Sequence, residues 1–148
     1  MERVESPSQP LEAALEKRDE LHRDLIEFER SLAAPARGRE AQWRAGVQAA
    51  AARLRDAFAN HIAVTEGTDG LFAEIMSEAP RLAHHIDLLR NEHREISAEV
   101  SRAAERPAGD PDEIRKEALV LFNRFAHHRQ KGADLLYDAY DVDLGFGD

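Results

Sequence analysis

The chain has no cysteine among its 148 residues, which excludes disulfides and thiolate metal sites. The same absence is compatible with a reducing compartment, and we expect a cytoplasmic protein. No stretch approaches the ~20 consecutive apolar residues that a membrane span requires, and the polar first residues lack the apolar core of a signal peptide. The sequence therefore predicts a soluble chain of one domain that does not bind a membrane.

Basic residues are in the minority, because 20 lysines and arginines face 29 aspartates and glutamates and the formal net charge is -9. A protein that binds nucleic acid irrespective of sequence needs a lysine- and arginine-rich face, so we expect no nucleic-acid partner. The chain also lacks a phosphate-binding loop, an HExxH motif and a recognisable nucleophile–base pair. A hydrolase is therefore disfavoured, and nothing else in the sequence indicates an enzyme.

Strand patterns are missing too, whereas apolar residues recur at helical spacing through most of the chain. The pattern predicts long helices at about residues 10–32, 39–65, 80–105 and 110–140. A short amphipathic segment, residues 71–78, precedes the third of them. Long amphipathic helices joined by short connections are typical of an all-α, antiparallel up-down-up-down four-helix bundle.

The ends of the predicted bundle follow from local sequence. Residues 1–9 are polar and are predicted to be a disordered leader, whereas residues 141–148 form a C-terminal tail punctuated by glycine. Asp110, Pro111 and Glu113 give the clearest helix start, since they fit an N-cap, a first helical position and a capping-box partner. We therefore assign residues 10–140 to a single bundle domain.

Four histidines lie on the apolar sides of four different predicted helices. They are His22, His61, His93 and His128. Inward side chains at similar depth in a bundle converge on one interior site, and neutral imidazole is a good ligand for iron, zinc, copper or nickel. His84 and His127 have polar neighbours at helical spacing, so we expect them to be exposed.

Four short motifs around these histidines resemble those of the hemerythrin-like, or HHE, family of cation-binding bundles. The motifs are LHRDLIEF, NHIAVTE, RNEHREI and HHRQKGADLLYDAY, and the resemblance covers roughly residues 11–140. TEGTDGLF and PRL also look like segments of bacterial hemerythrin-domain proteins. The resemblance implies a non-haem metal-binding protein that binds or senses dioxygen, nitric oxide, peroxide or iron.

The chain departs from the family pattern at two positions. Family members usually place a carboxylate one turn after the second-helix and fourth-helix histidines, where this chain has Thr65 and Gly132. Glu66 is the best remaining carboxylate. The resemblance thus implies a metal site of His22, His61, Glu66, His93 and His128, holding non-haem iron, as one or two ions, or zinc.

Two neighbouring dications need bridging negative charge to offset their repulsion. With Thr65 and Gly132 in place of bridging acids, one ion is favoured over two. Two functions remain open at this point. The first is a metal-binding protein whose partner is a small diatomic molecule. The second is a metal-free helical bundle with a degenerate site, acting as an interaction or structural module, and a homodimer is compatible with either.

Overall fold

The computed structural model describes residues 7–105 and 109–141, and every regular element within these ranges is helical. The helices are α1 (Gln9–Ala33), α2 (Glu40–Glu66), α3 (Leu71–Glu78), α4 (Ala83–Glu105) and α5 (Pro111–Tyr140), and a 3₁₀ turn (Pro80–Leu82) precedes α4. The prediction of an all-α helical bundle with four long helices is confirmed. Most of the predicted leader and tail, residues 1–6 and 142–148, lies outside the described residues.

Local capping fixes where two of the long helices begin. The Ser8 hydroxyl accepts a hydrogen bond from the Leu11 amide, so α1 starts at Gln9 within the segment predicted as a leader. At the start of α5, Asp110 accepts from the Glu113 amide while the Glu113 carboxylate accepts from the Asp110 amide. This reciprocal pair is the capping box that the sequence predicted.

Helix α2 ends directly after Glu66 because the chain turns sharply toward α3. At Gly70 a Cβ atom would lie 2.7 Å from the Val64 carbonyl oxygen. Such a separation is too short for any side chain, so this turn requires glycine. The position matters for the site, since Glu66 is the last residue of α2 and its carboxylate lies beside α4.

The apolar interior consists of two clusters. The larger one joins α1, α2, α4 and α5 and contains Phe28, Trp43, Leu54 and Phe58. The smaller one packs α3 against the other helices through Phe72 and other side chains. Each cluster places an aromatic ring against the histidines described below, so the imidazoles lie between two apolar regions.

Helix α2 packs closely on α1 and on α4, and α4 packs on α5, whereas the backbones of α1 and α5 approach each other less closely. The start of α2 lies beside the end of α4, where the Gln48 side-chain amide donates to the Glu105 carbonyl at 2.7 Å. The Arg115 guanidinium at the start of α5 donates to the Leu32 carbonyl at the end of α1, at 2.8 Å.

At the other end of the bundle, the Ser8 hydroxyl and the Tyr140 hydroxyl both donate to the Glu74 carboxylate of α3. Glu74 therefore ties α1 and α5 to the short helix. Within the described ranges, no helix combines the length and apolar character needed to cross a bilayer.

Candidate metal centre

Three imidazoles from three different helices meet inside the bundle. His61 of α2, His93 of α4 and His128 of α5 each offer one ring nitrogen, and these nitrogens lie within 4.8 Å of one another. The ring centroids are 5.2 Å apart for His61 and His93, 5.6 Å for His61 and His128, and 4.8 Å for His93 and His128. We call these residues the three-imidazole group.

The group is held in place by aromatic contacts. Phe58, which is fully buried, lies one helical turn before His61 and contacts all three imidazoles, with centroid distances of 5.6 to 5.9 Å. Phe72 of α3 stacks on the His93 ring at 5.8 Å. Because buried rings settle into fixed rotamers, these contacts restrict the imidazoles to a narrow range of orientations.

The Glu66 carboxylate determines which nitrogen of His93 faces the group. One carboxylate oxygen contacts His93 Nδ1, while the other lies 3.6 Å from the Arg90 guanidinium. An ionised carboxylate can only accept a hydrogen bond, so Nδ1 carries the hydrogen and the lone pair of the neutral ring is on Nε2. His93 Nε2 is buried and has no hydrogen-bond partner in the described chain.

The Glu92 carboxylate acts on His128 in the same way. One of its oxygens lies 2.8 Å from His128 Nδ1, and the other binds the Lys131 ammonium group. Burial alone raises the pKa of Glu92, but the hydrogen bonds from Lys131 and His128 outweigh burial and lower the pKa overall. Glu92 is therefore an anion that accepts a hydrogen bond from His128 Nδ1–H and fixes the tautomer of the ring.

The third imidazole, His61, presents a buried Nδ1 that also lacks a hydrogen-bond partner within the described residues. A buried polar atom without a partner costs about 1–3 kcal/mol. Two such nitrogens therefore belong to one group, and His93 Nε2, which carries the lone pair of its ring, is available to a bound cation. The donor set thus fits a transition-metal ion with three neutral imidazole ligands.

The spacing of the nitrogens fits such an ion after a small contraction. Three nitrogens that bind a tetrahedral zinc at about 2.0–2.1 Å lie about 3.3 Å apart. The nitrogens of the group, which lie within 4.8 Å of one another, would have to approach by at most about 1.5 Å to bind one such ion.

Comparisons with family models, with curated proteins and with solved structures find no match to this chain.

All three imidazoles are neutral at pH 7. Burial lowers the pKa of His93 to about 3, with His128 adding to the effect and Glu92 opposing it. Burial, His93 and His128 hold the pKa of His61 well below its usual range. Burial also lowers the pKa of His128, against the opposing hydrogen bond to Glu92. A neutral imidazole keeps the lone pair that metal binding requires.

A cavity of about 70 Å³ adjoins the three-imidazole group. Its walls come from all five helices and include His22, Thr65, Gly132 and several leucines. The Thr65 hydroxyl donates to backbone carbonyls of α2, at 2.9 Å to that of His61 and at 3.2 Å to that of Ile62. The space at Gly132 is open, since a Cβ atom there would meet nothing within 4 Å.

The structure brings three of the five predicted site residues into one group. His22 lines the same cavity but belongs to the wall beyond the group, and it is half-buried with an unpartnered Nδ1. Glu66 lies next to the group as the hydrogen-bond partner of His93. His84 and His127 are exposed, as predicted.

Glu92 has a role that the sequence analysis did not assign. It precedes His93 in α4, yet its carboxylate binds His128 of the neighbouring helix. One signal in the sequence is available afterwards: Lys131 lies three residues after His128 and so shares its side of α5. A cation and an imidazole on one side of a helix together favour an acid on the helix opposite.

Proposed function

We propose that the chain is a hemerythrin-like, non-haem metal-binding protein. In this proposal a single iron(II) or zinc ion binds to His61, His93 and His128. Nitrogen-rich sites favour these later transition metals over magnesium or calcium, which prefer oxygen ligands.

One observation carries the proposal. Two buried imidazole nitrogens, His61 Nδ1 and His93 Nε2, have no hydrogen-bond partner in the described chain, although carboxylates satisfy the far side of two rings in the same group. Histidine ligands of metals donate their other ring N–H to a carboxylate in the same manner. A metal-free core would instead leave these nitrogens buried at an uncompensated cost.

The carboxylates favour one ion over two. Glu66 and Glu92 each bind an imidazole and a neighbouring cation, Arg90 and Lys131 respectively. The negative charge of each glutamate is therefore already paired outside the three-imidazole group. Neither carboxylate is placed to bridge two metal ions. Without a bridging acid, a second adjacent dication would meet strong repulsion.

The arrangement of the helices supports the hemerythrin-like part of the proposal. The start of α2 contacts the end of α4, and the start of α5 contacts the end of α1. Such pairings suit the up-down-up-down topology of antiparallel bundles, in which ligands from facing helices meet in the core.

The bound ion would have coordination positions left for a further ligand, since three protein nitrogens do not complete a tetrahedral or octahedral shell. The ion would supply Lewis acidity, or redox chemistry in the case of iron. The neighbouring cavity of about 70 Å³ is large enough for a diatomic molecule such as dioxygen or nitric oxide. We propose that binding or sensing of such a molecule is the role of the protein.

Elemental analysis and anaerobic calorimetric titration test the metal site. Untagged protein should bind one equivalent of zinc or iron(II), and His61→Ala and His93→Ala should each bind it at least about tenfold more weakly. His127→Ala is the matched control because His127 is exposed and neighbours His128 in the chain. It should leave the affinity unchanged.

Two results would contradict the proposal. The first is wild-type protein that takes up no transition metal after reconstitution. The second is an affinity that His61→Ala and His93→Ala leave unaltered while His84→Ala or His127→Ala weakens it. Either result would favour the metal-free bundle, and circular dichroism of each variant shows whether the helices are intact.

A further inference from the structure

Two arginines line the cavity beside the three-imidazole group. Arg18 of α1 and Arg129 of α5 are both part of its wall. Neither guanidinium makes a hydrogen bond or an ion pair with another side chain in residues 7–105 and 109–141. Half-buried arginines are usually paired, because removing a charge from water without a partner is costly.

The two arginines place positive charge on the same wall, and no acidic side chain among the described residues of the cavity neutralises it. Burial and the positive charge of Arg129 lower the pKa of Arg18, and the exposed carboxylate of Asp19 opposes this only in part. Burial lowers the pKa of His22, with both arginines adding to the effect and Asp19 opposing it, and the buried Nδ1 of His22 has no partner among the described residues. No acidic residue of the described chain lines the cavity. The cavity therefore has a positive wall that lacks a counter-charge.

The rest of the lining is mainly apolar. It includes Leu21, Leu25, Phe72, Leu89, Leu135 and Leu136. A ligand that suits both parts carries a compact negative group and a short hydrocarbon tail. Guanidinium groups match the geometry of a carboxylate, which accepts two parallel hydrogen bonds.

We infer that this cavity binds a small carboxylate anion with a short aliphatic tail, held by Arg18 and Arg129 and enclosed by the leucine walls. A doubly charged oxyanion such as phosphate fits less well, because the leucines offer no donors for its remaining oxygens. The inference rests on the two arginines and the apolar walls. It goes beyond the metal proposal and does not require a bound ion.

Calorimetric titration with formate, acetate, propionate and butyrate tests the inference on the full chain, both metal-free and loaded with zinc. The metal-free protein should bind propionate, and affinity should rise about fourfold for each added methylene until the tail fills the cavity. Inorganic phosphate at the same ionic strength should bind more weakly. Equal affinity for formate and butyrate would contradict the apolar part of the site.

Four variants locate the anion. Arg18→Gln and Arg129→Gln should each weaken propionate binding by about tenfold or more, since each removes a charge-assisted hydrogen bond. Arg23→Gln, which alters an exposed arginine of the same helix, is the matched control and should change nothing. Gly132→Leu keeps both charges but fills the open space at the cavity wall, so it should also abolish binding.

A purely structural role of the arginines has a different signature. Replacing an unpaired cation beside another cation relieves repulsion, so Arg18→Gln and Arg129→Gln should unfold at the same temperature as the wild type or higher. A lower unfolding temperature, or propionate affinity that survives both substitutions, would overturn the inference. Binding seen only with zinc and unaffected by the arginine variants would identify the ion as the anion's ligand and also overturn it.

The same titrations separate this inference from the metal proposal. Propionate binding by a protein that takes up no metal supports the anion site and contradicts the metal site. Metal binding without carboxylate binding supports the metal site and contradicts the anion site.

Discussion

Two glutamates determine the tautomers of two of the three imidazoles. Glu66 and Glu92 each accept a hydrogen bond from the Nδ1–H of a ring on another helix, which leaves the lone pair of that ring on Nε2. Their negative charge also makes the rings better electron donors. Glu66 and Glu92 thus contact the imidazoles from the side opposite the nitrogens that would bind a metal ion.

Loss of either charge should weaken the site. Glu66→Gln and Glu92→Gln keep the shape of the side chain but remove its charge, and each should lower affinity for zinc about tenfold to a hundredfold. Glu95→Gln is the control, since Glu95 lies on the same helix and pairs with Arg124 at 2.5 Å. Zinc titration by competition with a chromogenic chelator gives the affinities. An unchanged affinity in both variants would mean that the carboxylates do not tune the imidazoles.

Acid should destabilise the metal-free protein. The pKa of His61, His93 and His128 is lowered in the folded chain, so these rings stay neutral there but bind protons on unfolding below pH ~6.5. The unfolded state then holds more protons, and the free energy of unfolding falls as pH falls. The stability is fully present above pH ~6.5 and is lost from there down to the lower pKa values of the folded state.

The slope of the free energy of unfolding against pH reports how many of these imidazoles take up a proton on unfolding. Each contributes up to about 1.4 kcal/mol per pH unit, and His93→Asn should remove one such contribution. Urea unfolding of metal-free protein between pH 7.5 and 5 measures the slope. The variant His127→Ala, which alters an exposed ring, should show the wild-type slope, and a wild-type slope in His93→Asn would contradict the assignment.

At the level of elements, the sequence predicted most of the secondary structure because helix ends are determined locally. The capping box at Asp110, for example, is read from a few neighbouring residues. The third long helix was predicted from Pro80, whereas α4 begins at Ala83 after a 3₁₀ turn. Both forms of helix share nearly the same dihedral angles, so an apolar pattern does not distinguish them.

The capping box should contribute measurably to stability. Asp110→Ala removes the acceptor for the Glu113 amide and should lower the free energy of unfolding by about 0.5–2 kcal/mol. Asp112→Ala is the control, because Asp112 is exposed and its ion pair with Arg115 at 3.5 Å is peripheral. Denaturant unfolding compares the two. Equal effects would show that general negative charge near the helix start, and not the cap, is responsible.

At the level of the whole molecule, the helical periodicity predicted that four histidines face the interior. It did not predict which of them lie close enough to share one site. His61, His93 and His128 come together, while His22 lies along the cavity near Arg18 and Arg129. Helical spacing gives the direction of a side chain. It does not give the relative height of two packed helices, which depends on long-range contacts. For the same reason, the pairing of Glu92 with His128 could not be predicted from the spacing within α4.

Metal binding should stabilise the whole bundle, because the ligands belong to three helices that separate on unfolding. At free zinc one hundred times the dissociation constant, the gain is about 2.7 kcal/mol, which raises the unfolding temperature by about 5–10 °C for a chain of this size. Differential scanning calorimetry measures the shift, and His128→Ala should abolish it. A shift that persists in His128→Ala would mean that zinc binds elsewhere.

The shared carboxylate of Glu74 brings the first and last described helices together at one end of the bundle. Since the Ser8 and Tyr140 hydroxyls reach the same acceptor, the residues that open α1 and close α5 are close neighbours in space. Chains with neighbouring ends tolerate circular permutation. Joining Ser8 to Asp141 with a short linker and opening the chain at Gly38, in the exposed loop between α1 and α2, would reorder the helices while retaining the three-imidazole group. We expect the permuted chain to fold into the same bundle, because every contact between the helices would be retained.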